Sequence, residues 1–233
     1  MNPTSNVTRR TQVMIVDDHP AIRDALAAVI ADSSDLALCA EAESGEQVFR
    51  AVEQFNPDVA VVDIALPDTH GLDLIANLLA RYPDLHVVVF SVYDERVYAE
   101  RAVRAGALGY VMKREPVHEV LEAIRCASRG EIYLSRGMAS RIVTRAALRR
   151  SAKPASPTDL LTDREIAVLQ LLGEGNSVEN IAERLHLSRK TVETHRRNAK
   201  EKLDLDTVNE LLLFAVRWTD AQNRAGDLEE SSP

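Results

Sequence analysis

With 233 residues, 45% of them apolar, the chain can bury one full core and has length left for a second, smaller one. A formal charge of −8 excludes a protein that coats nucleic acid or membranes indiscriminately, so any DNA contact has to come from a local basic patch. Cys39 and Cys126 sit in apolar segments with neither disulfide nor metal-ligand spacing, and read as core residues in a reducing compartment.

The opening residues, "MNPTSNVTRRTQ", lack the apolar stretch of a secretory signal, and no run approaches the ~20 apolar residues of a membrane span. A cytoplasmic location without membrane contact is the expectation. From residue 11, short β-type runs alternate with longer amphipathic ones: "QVMIV", "LALCA", "DVAVV", "HVVVF" and "LGYVM" are separated by stretches whose apolar residues recur at three and four. That alternation predicts an α/β fold, a doubly wound parallel sheet of five strands with helices on both faces. Ile22, Leu26, Val29 and Ile30 would share one side of the first helix, with Pro20 in its first turn. Leu74, Ile75, Leu78 and Leu79 repeat the pattern after the third strand, and a further helix is expected around Glu115 to Arg129.

Beyond Gly130, "SRGMASRIVTRAALRR" suits a helix ending near Arg150, whereas "SAKPASPTD" has the Pro, Ser and Ala content of an exposed linker. From Leu161 onward the pattern is purely helical, which predicts a small all-α domain. The expected division is 11–130 for the sheet domain, 131–157 for a linker helix and flexible linker, 158–220 for the helical domain, and 221–233, ending "AGDLEESSP", for a disordered acidic tail.

In a doubly wound sheet, ligands bind beyond the carboxyl ends of the strands, where strand order reverses. The first strand ends in Asp17 and Asp18, the third in Asp63, the fourth in Ser91 and the fifth in Lys113. Carboxylates gathered within a few ångströms repel and raise at least one pKa unless a cation joins them. Oxygen ligands of this kind suit Mg2+, which is typically held by one or two carboxylates plus phosphate oxygens. Lys113 would pair with Asp63 or an incoming phosphoryl oxygen, and Ser91 would hydrogen-bond another. Such a set stabilises the charge on a transferring phosphoryl group, with Asp63 as nucleophile. Any one of these aspartates alone reads as a helix cap or turn residue; the matched strand ends taken together do not. Asp68, Asp73, Asp84 and Asp94 lack that placement and read as caps or solvated turns, and His19, His70 and His86 as structural.

Over roughly residues 11 to 130 the chain resembles the receiver domain of bacterial response regulators, through "VDDHP", "DIALPDTHGLDLI", "FSVYDE" and "GYVMK" in order and at family-like spacing. The resemblance implies a flavodoxin-like sheet of order 2-1-3-4-5. It also implies that Asp63 accepts a phosphoryl group from the histidine of a sensor kinase or from another phosphodonor. Asp18, Asp63 and the Ala65 carbonyl would contact Mg2+ directly, with Asp17 acting through water, and Ser91 and Tyr110 would form the switch pair. From the residues alone, Tyr110 reads equally well as a half-buried strand aromatic. Ser91 stands where the family more often has Thr, a mild departure, and Ala65 and Tyr93 occupy positions that in the family tune phosphoryl lifetime.

In the second domain, "NSVENIAERLHLSRKTVETHRRNAKEKLDL" reads as helix, short turn, helix, with Ser177 and Ser188 as N-caps. Ile181, Ala182 and Leu185 would face inward, as would Val192, Ala199 and Leu203. Arg189, Glu193, Arg197 and Lys200 fall on the opposite side of the second helix, at offsets of four, eight and eleven from the first. Residues 189 to 202 hold Arg189, Lys190, Arg196, Arg197, Lys200 and Lys202 against only Glu193 and Glu201, the basic patch hidden by the acidic total. A salt-bridged, solvated helix is the plainer alternative, because Glu193 and Arg197 are spaced to pair. In helix-turn-helix geometry Glu193 would accept from cytosine, Arg197 reach guanine or phosphate, and Thr194 meet a thymine methyl. Lys190, Thr191 and His195 would bond the DNA backbone.

From "LTDREIAVLQLL" to "LLLFAVRW" the chain resembles the four-helix LuxR-type DNA-binding domain, over roughly residues 158 to 220. Joined to a receiver, it is similar to the NarL/FixJ class of response regulators. That resemblance implies a phosphorylation-controlled transcription factor that binds double-stranded operator DNA as a homodimer, with RNA polymerase as a further candidate partner. It also implies a dimer contact on the last helix through Val208, Leu211, Leu212 and Ala215, a stripe that periodicity alone allows to be core packing. The enzyme alternative, a haloacid-dehalogenase-type phosphatase, needs an acid/base aspartate two residues after the nucleophile, where this chain has Ala65. A regulator acting through protein contacts alone is disfavoured by the basic stripe. There is neither a Walker-type "GKS/T" nor a "GxGxxG" after the first strand.

Overall fold

The computed structural model describes residues 9–69, 71–148, 157–185 and 187–229. His70, residues 151–156 of the expected flexible linker and residues 230–233 lie outside the described residues. The chain divides into two compact units, Met1–Ala147 and Leu148–Pro233.

The first unit alternates strand and helix: β1 (Thr11–Val16), α1 (Pro20–Ala31), β2 (Leu36–Ala42), α2 (Gly45–Phe55), β3 (Val59–Val62), α3 (Gly71–Arg81), β4 (His86–Ser91), α4 (Glu95–Arg104), β5 (Gly109–Met112), α5 (Val117–Ser128) and α6 (Arg136–Leu148). All strand pairs are parallel, in the order β2-β1-β3-β4-β5. The reversal at β1 and β3 is where a doubly wound sheet opens a crevice at its carboxyl edge.

Helices on both faces explain why the strands read as continuous apolar runs: β3 and β5 are buried at every position. Residues two apart share a face, and Val13, Ile15, Val59, Val61, Val88, Phe90 and Val111 pack with Leu26 and Ile30 of α1 and with Val120 and Ile124 of α5. Pro20 opens α1, as its fixed φ favours. Both cysteines are half-buried, a correction to the expectation of core positions.

The second unit is all helical: a 3-10 turn (Pro157–Leu160), α7 (Asp163–Gly173), α8 (Val178–Arg184), α9 (Arg189–Lys202) and α10 (Val208–Glu229). Ile166, Ala167, Val168, Leu169, Leu171 and Leu172 of α7 are all buried, so this helix is apolar nearly all round and forms the unit's centre. Gly173 ends it against α10: a Cβ there would lie 2.5 Å from the Ala215 carbonyl oxygen and 2.1 Å from Thr219 Oγ1. The expected disordered tail from residue 221 is corrected in part, because α10 keeps a helical backbone through Glu229. No proline interrupts the sequence between Val208 and Pro233, and extending a formed helix is far easier than nucleating one. Among the described residues no helix is long and apolar enough to cross a membrane.

Candidate functional site

The last rungs of the sheet ladder set the rim. One residue past each strand, the Asp17 amide donates to Ala42 (3.0 Å), the Asp63 amide to Val16 (2.9 Å) and the Lys113 amide to Ser91 (2.7 Å). Three side chains from separate strand ends are thereby aimed at one spot. Gly71 lets α3 begin directly behind it: its amide bonds the Ile64 carbonyl at 3.0 Å, and a Cβ there would lie 2.6 Å from the Asp63 carbonyl oxygen.

Lys113 Nζ lies 2.6 Å from both Asp17 Oδ2 and Asp63 Oδ2, with all three side chains nearly inaccessible. Burial would lower the Lys113 pKa, but the charges and hydrogen bonds of Asp63 and Asp17 outweigh it, and the ammonium is held above the usual lysine range. Burial, opposed by the Lys113 hydrogen bond and aided by the Asp63 charge, raises the Asp17 carboxyl. The second Asp63 oxygen accepts from the Ala65 amide at 3.1 Å, and Asp17 Oδ1 accepts from the His19 amide at 2.9 Å.

Ligand atoms of Asp17, Asp18, His19 and Asp63 lie within 4.8 Å of one another. Asp18 Oδ1 is 2.7 Å from His19 Nδ1, yet this buried oxygen has no hydrogen bond of acceptable geometry. A buried carboxylate oxygen left over in a cluster of three carboxylates fits a hard divalent cation such as Mg2+. His19 corrects the sequence reading, which set it aside as structural. Its position at the N-cap of α1 swings the ring back over the rim. Arg23, not singled out from sequence, donates to the Asp17 carbonyl at 2.7 Å; four positions after His19, it returns to the same side of α1.

Ser91 is fully buried at the end of β4, and its Oγ accepts from the Tyr93 amide at 3.3 Å. Tyr110 is buried too, its hydroxyl donating to the Tyr93 carbonyl at 2.9 Å. Burial pushes the Tyr110 hydroxyl well above the usual tyrosine range, so it stays a donor. Of the aspartates expected to be caps, Asp94 caps α4 through the Arg96 amide. Asp68 does so at a distance, accepting from the Gly45 and Glu46 amides of α2 at 2.8 and 3.0 Å.

In the second unit Ser177 caps α8 and Ser188 caps α9, accepting from the Asn180 and Thr191 amides at 3.2 and 3.0 Å. Arg189, Lys190, Glu193 and Arg197 are exposed along α9, while Thr191, Thr194 and His195 are half-buried. Thr194 donates its hydroxyl to the Lys190 carbonyl, Arg189 pairs with Glu179 of α8, and burial lowers the His195 pKa. Among the described residues Glu193 and Arg197 form no ion pair, so the salt-bridged alternative loses its main contact.

Two expectations are corrected. Lys200 Nζ donates to the Leu205 and Asp206 carbonyls at 3.2 and 3.0 Å, where it ties off the end of α9 and leaves the exposed stripe. The expected dimer stripe divides as well: Leu211 and Ala215 are buried within the chain's own helical unit, whereas Val208 and Leu212 are 52% and 44% exposed. Residues three and four apart on a helix share only part of its circumference, and the inner part faces α7.

Residues 13–125 match the response regulator receiver domain family, and residues 159–215 the luxR family of bacterial regulatory proteins. The response regulator GacA of Pseudomonas viridiflava is 34% identical over 88% of this chain and 95% of its own. The transcriptional regulatory protein LiaR of Bacillus subtilis is 32% identical over 88% and 97%. The chain belongs to the NarL/FixJ class of response regulators. RcsB from Salmonella enterica, solved bound to a promoter in the presence of the phosphomimetic BeF3−, shares the fold with a TM-score of 0.60 at 21% identity over 89% of this chain and 98% of that one. A response regulator with a luxR-family domain is a DNA-binding transcriptional regulator.

Proposed function

We propose that this response regulator is switched by transfer of a phosphoryl group to Asp63 from the histidine of a sensor kinase or from a small acyl-phosphate donor. The observation that carries the reading is the Lys113 ammonium shared at 2.6 Å between Asp17 and Asp63. It marks a buried spot where a fixed ammonium, joined by a bound divalent cation, would neutralise the charge of an incoming phosphoryl group. An Asp63 oxygen attacks phosphorus, an O–P bond forms, and the P–N bond to the kinase histidine or the P–O bond of the small donor breaks. Lys113 and Ser91 then hold phosphoryl oxygens. Asp18, Asp63 and the Ala65 carbonyl, with Asp17 beside them, would hold Mg2+, which supplies charge neutralisation at the phosphoryl oxygens when bound.

New hydrogen bonds to the phosphoryl group would draw on Ser91, and Tyr110 with it, favouring a receiver state that promotes dimerisation and DNA binding. Arg189, Lys190, Thr191, Glu193, Thr194, His195 and Arg197 would meet operator DNA, α9 lying in the major groove. The exposed apolar residues Val208, Leu212, Leu213 and Val216 would supply the dimer contact on α10. The RcsB complex, with a promoter and a phosphomimetic together, supports joining the two halves in one mechanism.

Asp63→Asn tests the first step. The parent should take up phosphate from acetyl phosphate with Mg2+, shifting on a phosphate-affinity gel, and the variant should not. Equal labelling of the variant would remove Asp63 from the mechanism.

A further inference from the structure

The chain does not leave the sheet when α5 ends. The Tyr133 amide donates to the Leu108 carbonyl at 2.7 Å, and the Tyr110 amide donates to the Tyr133 carbonyl at 3.1 Å. Tyr133 thus makes a parallel bridge with Gly109 on the outer side of β5. Its ring is half-buried beside the core formed with α1 and α5, and its hydroxyl bonds Glu119 of α5. Two residues later, Ser135 Oγ donates to Glu95 Oε1 of α4 at 2.7 Å and accepts from the Met138 amide at 3.1 Å. One hydroxyl therefore ties α4 and caps α6. Met138, in the first turn of α6, is 2% exposed.

Both anchors lie where the proposed switch acts. Tyr110 gives its side chain to the Tyr93 carbonyl and its backbone amide to Tyr133. Glu95 opens α4, four residues after Ser91. A shift of Ser91 and Tyr110 that moves the β5 backbone or the start of α4 cannot leave residues 133–138 in place without breaking hydrogen bonds. Buried backbone groups are costly to leave unpaired, so the segment follows.

We propose that Tyr133–Met138 is a strap through which the Ser91–Tyr110 pair governs the beginning of α6, the helix that leads out of the receiver. The strap rests on the reading of Asp63 as phosphoacceptor for what sets it moving, but not for its existence. It also pairs the start of the hydrogen-bonding edge that β5 would otherwise offer to another chain. Glu95 and Ser135 act as positioning residues, touching neither the phosphoryl site nor DNA.

The test is amide hydrogen exchange on the full chain, with and without acetyl phosphate and Mg2+, beside a phosphate-affinity gel. In the parent, phosphorylation should change exchange at Tyr110, Tyr133 and Met138 together, by about fivefold or more. Glu95→Ala removes the tie to α4 and leaves the Ser135 cap of α6. It should take up phosphate as the parent does and keep the response at Tyr110, while the response at Met138 falls below about twofold. Ser135→Ala removes tie and cap together and should lose the Met138 response as well. A parent whose Tyr110 responds without Met138, or a Glu95→Ala variant whose Met138 responds in full, overturns the strap. If the parent takes up no phosphate, the Asp63 reading fails instead. The strap is then decided without donor: Glu95→Ala should speed exchange at Met138 by about fivefold, and parent-like exchange overturns it.

Discussion

Two lysines show how the same side chain serves different ends. Lys113 is buried between two carboxylates, whereas Lys200 reaches back to two carbonyls past its own helix. Replacing Lys113 with Met leaves Asp17 and Asp63 facing each other with no counter-charge, so phosphoryl uptake should be lost although strand order survives; the gel shift measures this. Lys200→Met should instead lower the unfolding free energy by about 1 kcal/mol through the freed carbonyls. Its DNA affinity should keep the parent's salt slope, because no phosphate contact is lost. Arg197→Ala should behave the other way, weakening operator binding by about 1 to 3 kcal/mol with unchanged stability, as read in parallel gel shifts and melts. Gly71→Ala belongs with Lys113. A methyl group 2.6 Å from the Asp63 carbonyl has to move the Asp63 backbone, so phosphoryl uptake should suffer more than folding does.

The helix α9 is fixed at its far end by Lys202, whose Nζ lies 2.8 Å from Glu165 Oε2, and Glu165 also completes the capping box of α7 with Thr162. Burial would raise the Glu165 pKa, but Lys202 and the Thr162 bonds outweigh it and hold it below its ordinary value. A depressed folded pKa means this contribution to stability is present above the unfolded carboxylate range and is lost as pH falls through the folded value. Glu165→Gln should therefore flatten the acid limb of the stability curve and cost about 1 to 2 kcal/mol, discounted because Lys202 is partly solvated. Trp218, the sole tryptophan, sits on α10 and reports unfolding of this unit by fluorescence. Periodicity and caps made these helices legible, since spacing and Ser or Thr before an apolar run are local signals. What it could not show is which side of a helix a neighbour takes. Leu211 and Ala215 turned out to face α7, and the contacts of Lys200 and Lys202 depend on chain meeting chain from a distance. The rim was legible because parallel strands put their ends on one edge; His19 was not, since its ring direction depends on the cap geometry of α1.

Taken whole, the chain is acidic, yet the exposed face of α9 is basic, so its DNA affinity should fall steeply with salt while nonspecific binding stays weak. Leu212→Lys places a charge in the exposed apolar stripe of α10. Sedimentation should show weaker self-association of the phosphorylated protein, with the Trp218 unfolding midpoint unchanged.

Asp68 terminates a helix to which it does not belong. The loop behind Asp63 is thus stapled to the head of α2, on the opposite flank from the strap proposed at β5. Any displacement of that loop uncovers two amides some twenty residues away in sequence. Fraying at the head of α2 would then register events at Asp63 on a side of the receiver that carries none of the residues assigned to signalling.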